Sequence, residues 1–277
     1  TDGAGNTATC SFDVIVSDDE VPTISCPADQ DISANADCEF VMPDFRPTTT
    51  VGDNCTLVGD LTIDQSPDSM TTQSGTQVVT MTVTDEAGNT AECTFTLTVV
   101  DTTSPSITDC PTDTTIVMTA NCDYELADFT SVPTVADNCT AAGALVITQS
   151  PSIDTVITGH GTVVPVTLTV TDANGNTNTC TFNVTMDDDT DPTITCPANI
   201  PSGVDAGECY ATVTYAFPTI ADGCGVVDTT QTAGLVSGSQ FPVGTTTNTY
   251  VVTDGAGNTA TCSFDVIVSD DEVPTIS

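Results

Sequence analysis

The dipeptide Cys-Pro recurs at Cys26-Pro27, Cys110-Pro111 and Cys196-Pro197, at spacings of 84 and 86 residues, and its surroundings recur with it. A chain written as copies of one such segment folds as copies of one small unit, each with a limited interior. Every copy opens on Pro-Thr-Ile or Pro-Ser-Ile and carries a second cysteine 12 or 13 residues after the first (Cys38, Cys122, Cys209). A third cysteine ends the turns Asp53-Asn54-Cys55, Asp137-Asn138-Cys139 and Asp222-Gly223-Cys224. A fourth (Cys93, Cys180, Cys262) follows a Thr-Asp-x-x-Gly-Asn-Thr loop.

A longer period lies over the short one. Residues 253–277 repeat residues 1–25 without a change, which sets a period of 252. We read the chain as a window onto a longer tandem array. Residues 1–20 are then the closing strand of a preceding unit. Three units follow at 21–104, 105–190 and 191–272, and 273–277 begins another. Arrays of this kind serve reach, stiffness or adhesion more often than catalysis.

Apolar and polar residues alternate in Val79–Asp85, Val166–Asp172 and Thr249–Asp254, and again after each fourth cysteine, as in Cys93-Thr-Phe-Thr-Leu-Thr-Val. Period two is the mark of a half-buried strand, and the Gly-Asn loop between two such runs predicts a hairpin. No stretch keeps helical periodicity over three turns. Seven or so short strands in about 84 residues predict an all-β chain of tandem immunoglobulin-like β-sandwich domains, arranged as beads on a string.

The interior is thin, with no Trp and 5% aromatic residues, so disulfides are expected to supplement it. Four cysteines per unit allow three pairings. The Asp-x-Cys turn and the start of the last strand are expected at the same end of the sandwich. That favours Cys55–Cys93, Cys139–Cys180 and Cys224–Cys262, and leaves Cys26–Cys38, Cys110–Cys122 and Cys196–Cys209. Cys10, the copy of Cys262, is the odd thirteenth. Close Cys-x-x-Cys pairs of the kind zinc favours are absent. Regular cysteines predict an oxidising, extracellular location, secreted or at a cell surface.

Thirty-nine acidic residues stand against a single Arg46 and no Lys, for a net charge of −38. Such a surface excludes nucleic acid and anionic membranes as partners. No apolar run is long enough to span a bilayer.

The segment Gly238-Ser-Gln-Phe-Pro-Val-Gly-Thr-Thr-Thr247, followed by Tyr250-Val-Val-Thr-Asp-Gly-Ala-Gly-Asn-Thr-Ala-Thr-Cys-Ser-Phe-Asp-Val266, resembles the HYR, or hyalin-repeat, module. Cys196-Pro197 and Ala221-Asp-Gly-Cys224 fit the same pattern. The first two units lack Phe-Pro-Val-Gly but keep the other landmarks in order. The resemblance implies an immunoglobulin-like fold in extracellular, often adhesive proteins, and it carries over no catalytic residue.

Acidic runs separate the units: Asp18-Asp19-Glu20, Asp101, and Asp187, Asp189 and Asp191. With the turn acids Asp53, Asp137 and Asp222 and the loop acids Asp85, Asp172 and Asp254, they are expected to converge where one unit meets the next. Ca²⁺ takes six to eight oxygens from such groups, so it is the expected cofactor. The plainer alternative is a solvated acidic linker. The middle junction, with one linker Asp, is the weakest candidate, and each Asp-x-x-Gly-Asn loop taken alone is a turn capped by its own Asp.

Asn54, Asn138 and Asn183 stand in glycosylation sequons, a weak signal in so Thr-rich a chain. His160, in Gly159-His160-Gly161, is the lone histidine and reads as a loop residue. No nucleophile–base arrangement is visible, so no enzyme activity is expected; a carboxylate pair is the residual possibility.

The leading expectation is a structural protein, an extracellular fibre or stalk of tandem units serving adhesion or matrix attachment, with further copies of itself as partners. The alternative is the shaft, or the binding modules, of an adhesin that recognises glycan or protein. Donation of the strand at residues 10–16 to a neighbouring subunit is a third arrangement.

Overall fold

The computed structural model describes residues 1–273; the start of a further unit expected at 273–277 lies outside them from residue 274 on. The fold is nearly all β, with two short 3-10 turns at Arg46–Thr48 and Ala142–Ala144. The chain divides into two compact units. One holds residues 1–106, 136–145 and 171–177; the other holds 107–135, 146–170 and 178–277.

The first unit contains the whole first repeat. Its larger sheet runs, in order, Gln30–Ser33, Thr90–Val100, Gln77–Thr84 and Thr62–Ser66. The first pair is parallel and the other two are antiparallel. Opposite lie two short antiparallel pairs, Thr23–Ser25 with Thr50–Gly52 and Glu39–Val41 with Thr72–Ser74. Alternation puts Val79, Met81, Phe95 and Leu97 inward, where they meet Phe40, Met42 and Phe45. Phe45 and Phe95 pack edge to face at 4.8 Å. Gln65 secures the rim of this core: its side chain accepts the Phe45 amide and donates to the Pro43 and Pro67 carbonyls.

The second unit contains the third repeat and the body of the second. The third repeat's sheet runs Ile200–Gly203, Thr259–Ser269, Gly244–Asp254 and Val226–Ala233, again with a parallel first pair. Its core joins Ala211, Val213 and Phe241 to Tyr250, Phe264, Val266 and Val268. The second repeat repeats the plan, with Leu126 and Ile157 against Val166, Leu168, Phe182, Val184 and Met186. These are immunoglobulin-like sandwiches in tandem, as the alternation predicts.

The disulfides correct the expected pairing. Within repeats the bonds are Cys26–Cys93, Cys110–Cys180 and Cys196–Cys262. Cys93 shares the inward parity of Phe95 and Leu97, so it faces the Cys-Pro cysteine across the sandwich, whereas Cys55 lies on an exposed turn. Two further bonds run from one repeat to the next, Cys38–Cys139 and Cys122–Cys224. Cys55 and Cys209, expected in disulfides, are free and exposed, as is Cys10.

Candidate functional site: three partly buried carboxylate clusters

Each repeat begins at a strand end, and the strand's own period decides which acid is buried there. Phe182, Val184 and Met186 face inward, so Asp188 does too, two residues on. The same parity carries Phe95 and Leu97 to Asp101. At the first head the inward acid is Asp18.

The loop Asp-x-x-Gly-Asn closes over this acid. It is a turn first, since Asp85, Asp172 and Asp254 each accept backbone amides of their own loop through Oδ1. Positive φ at Gly88, Gly175 and Gly257 lets the chain turn back so tightly. The loop asparagine then serves as a clamp. Asn89, Asn176 and Asn258 donate from Nδ2 both to the Oδ2 of their loop Asp and to the backbone carbonyl of Asp18, Asp101 and Asp188 respectively. Burial pushes the carboxyls of Asp85, Asp172 and Asp254 up, but these side-chain and backbone donors more than offset it and hold them below the usual carboxylate range.

The Asp-x-Cys turn supplies the third acid. Asp53 and Asp137 each accept two amides through Oδ2, from Cys55 and Thr56 and from Cys139 and Thr140; Asp222 accepts the Cys224 amide. Thr56 and Thr140 bind this turn to the loop by accepting the amides of Glu86 and Ala173.

The outcome is three like clusters: Asp18, Asp53 and Asp85; Asp101, Asp137 and Asp172; Asp188, Asp222 and Asp254. In each, one carboxylate oxygen from every residue lies within 4.8 Å of the other two. Asp101 and Asp188 are only 5% exposed. Asp18 Oδ2, Asp53 Oδ1, Asp101 Oδ2, Asp137 Oδ1 and Asp188 Oδ2 are buried without a hydrogen-bond partner. Buried anionic oxygens demand a compensating charge. Among the described residues Arg46 pairs with Asp44, and His160 Nδ1 lies 3.4 Å from Asp187 Oδ1; neither reaches a cluster carboxylate. Oxygen ligands about 2.3–2.6 Å from one Ca²⁺ stand no more than about 4.6–5.2 Å apart, which the clusters satisfy.

The expected ligand set therefore needs revision. Asp187, Asp189 and Asp191 are not in the third cluster; Asp188 is, and strand parity was the signal that finds it. Asp19 and Glu20 stay exposed, Asp19 near the Ser17 hydroxyl and Glu20 accepting from the Asn54 side chain. The middle head, expected to be weakest, is complete with its single linker acid. His160 is more than a loop residue: its Nδ1 accepts the Asp188 amide, which fixes the backbone beside the third cluster. Of the sequon asparagines, Asn138 donates to the Asn35 carbonyl and Asn183 to Asp113, while Asn54 is exposed.

Around the two bonds between repeats the backbones lie close. A Cβ on Gly223 would run into the Ala120 carbonyl, so only glycine fits there, whereas Asn138 reaches Asn35 through its side chain. Burial, followed by the charges of Asp18, Asp53 and Glu20, raises the Cys55 thiol pKa.

The profile described as the HYR domain matches residues 17–99, 100–186 and 187–268. Hyalin of Strongylocentrotus purpuratus is 36% identical over 292 residues, covering 100% of this chain and 23% of that protein. Hyalin of Lytechinus variegatus is 32% identical over 285 residues, covering 100% of this chain and 52% of that protein. The chain thus spans about half or less of the curated relatives it matches along its whole length. Among solved structures, the protocadherin GammaB4 extracellular domain aligns with 92% of this chain and 50% of its own at 15% identity and a TM-score of 0.36. With three consecutive matches that leave unmatched only the first 16 residues and the last 9, the chain belongs to the HYR domain family.

Proposed function

We propose that this chain is a segment of an extracellular structural protein, a filament or stalk of tandem HYR repeats that serves adhesion or matrix attachment and is stiffened by Ca²⁺ at the head of each repeat. The observation that carries the calcium is the recurrence, at all three heads, of three convergent carboxylates, at least one of which has a buried oxygen with no donor. Three carboxylates and a few waters complete the six to eight oxygens Ca²⁺ takes. The bound ion would cancel their repulsion and tie the end of one repeat to the turn and loop of the next. The HYR family, the five disulfides and an acidic surface support the extracellular setting. Among the described residues no helix is long and apolar enough to cross a membrane.

Scanning calorimetry in Ca²⁺ and in chelator tests the reading. Free Ca²⁺ at a hundred times its dissociation constant adds about 2.7 kcal/mol per site, or about 10–20 °C in the melting of a repeat this small. Asp137→Asn should shrink this gain and raise the melting temperature in chelator, because it removes one like charge from the cluster. Coincident melting curves in Ca²⁺, Mg²⁺ and chelator would end the calcium reading.

One observation favours a recognition role for the third repeat. A cavity of about 350 Å³ opens there between Tyr215, Phe217, Gln231 and Tyr250. Phe217 is 60% exposed beside Tyr250, with ring centroids 5.5 Å apart. Burial, with the Tyr215 hydroxyl next, pushes the Tyr250 pKa up to about 12. At the same register the first repeat has Met81, opposite Cys93, where the third has Tyr250 opposite Cys262. An aromatic cleft with an amide on its wall suits a sugar ring. Titration with oligosaccharides should then show saturable binding that Phe217→Ala abolishes; a silent titration leaves the repeat a pure spacer.

A further inference from the structure

The bonds between repeats follow one rule. Their first cysteine stands immediately before a short strand, Cys38 before Glu39–Val41 and Cys122 before Asp123–Glu125. Their second ends the Asp-x-Cys turn of the following repeat, at Cys139 and Cys224. Cys209 holds the first place in the third repeat, immediately before Tyr210–Val213. A backbone hydrogen bond closes its turn, from the Asp205 amide to the Tyr210 carbonyl. Asn35 and Glu39, and Thr119 and Asp123, close theirs in the same way. The turn is one residue longer, and Gly207 takes the positive φ that Cys38 and Cys122 take themselves. Cys55 holds the second place in the first repeat. Its amide and that of Thr56 are bound by Asp53 Oδ2, as Asp137 Oδ2 binds Cys139 and Thr140. Both cysteines are exposed and unbonded.

We propose that Cys209 and Cys55 are the two open halves of this same bond: Cys209 is joined to the Asp-x-Cys cysteine of a further repeat, and Cys55 to the pre-strand cysteine of another. A disulfide ladder would then run through the array without interruption, one rung per repeat head. The partner thiol belongs to a repeat of this kind, either further along one polypeptide or in a second copy of this chain. Each rung forms by exchange with a small-molecule disulfide such as oxidised glutathione. Its S–S bond breaks, the Cys209–Cys55 S–S bond forms, and two thiols leave with the two protons and two electrons. The inference does not need calcium. It rests on the tandem-array reading only in its choice of partner.

The test uses the 277-residue chain with Cys10→Ser throughout, in a glutathione redox buffer with chelator, so that its failure is separate from failure of the calcium reading. Cys55→Ser and Cys209→Ser should each remain monomeric on a non-reducing gel. Mixed in equal amounts at high concentration, they should form a dimer that reduction dissolves, with one linked peptide carrying Cys209 and Cys55. In longer native material the same linkage should be found by peptide mapping. Loss of mass on reduction there marks a bond between polypeptides, and unchanged mass marks one within a polypeptide. A mixture that stays monomeric, with both thiols open to alkylation, overturns the proposal.

Discussion

Replacing both Cys26 and Cys93 by Ser is expected to destabilise the first repeat by roughly 4 kcal/mol, because the bond closes a loop across 67 residues of sequence and the unfolded chain regains that freedom. Hydrogen exchange read by mass spectrometry separates the repeats. Strands Gln77–Thr84 and Thr90–Val100 should exchange about a thousandfold faster, while those of the third repeat stay unchanged. Cys55→Ser should leave the exchange of both strands where it was. The pairing expected from sequence, Cys55–Cys93 with Cys26–Cys38, requires a large effect at Cys55 as well. For Cys55→Ser the two pairings differ by about three orders of magnitude in exchange, so that variant decides between them.

Phe264→Ala should cost about 3–5 kcal/mol, the usual loss for an aromatic truncated in a closed core. Phe264 is 2% exposed and meets the Tyr215 ring edge to face at 4.9 Å. Phe12→Ala, the same substitution in the same seven residues Cys-Ser-Phe-Asp-Val-Ile-Val, should change the stability of this chain by less than about 0.5 kcal/mol, since Phe12 is 84% exposed. Urea unfolding of the two variants beside the parent protein gives both values. An equal loss from both would mean that residues 10–16 are packed in solution.

Much of the architecture could be read from period and spacing. Alternation located the hairpins at Gln77–Val100 and Gly244–Ser269, because a half-buried strand writes its two faces directly into the sequence. Six of the nine cluster acids, the turn and loop aspartates, were legible from their motifs. Asp18 and Asp101 were legible too. Asp188 was lost among its neighbours Asp187, Asp189 and Asp191, although the inward parity of Phe182, Val184 and Met186 points to it. Disulfide pairing was not legible. Every assignment of Cys38 or Cys122 within its own repeat was wrong, since the partner lies in the next one, and only the packing of one head against the preceding repeat shows that.

The two copies of the 25-residue repeat separate these levels. In both, the Asp-x-x-Gly-Asn turn forms with the same bonds: Asp2 accepts Ala4 and Asn6 amides and the Asn6 side chain, as Asp254 accepts those of Ala256, Asn258 and the Asn258 side chain. Sequence alone determined that turn, because all its partners lie within five residues. The strand that follows is a strand only at Thr259–Ser269, where Gly244–Asp254 and Ile200–Gly203 supply ladder partners on either side. At residues 10–16 the same side chains are exposed and the backbone is not in a sheet. The sequence carries the alternation in both places. Whether it becomes a buried face was decided by strands tens of residues away, since burial and ladder hydrogen bonds need a partner that no local pattern contains.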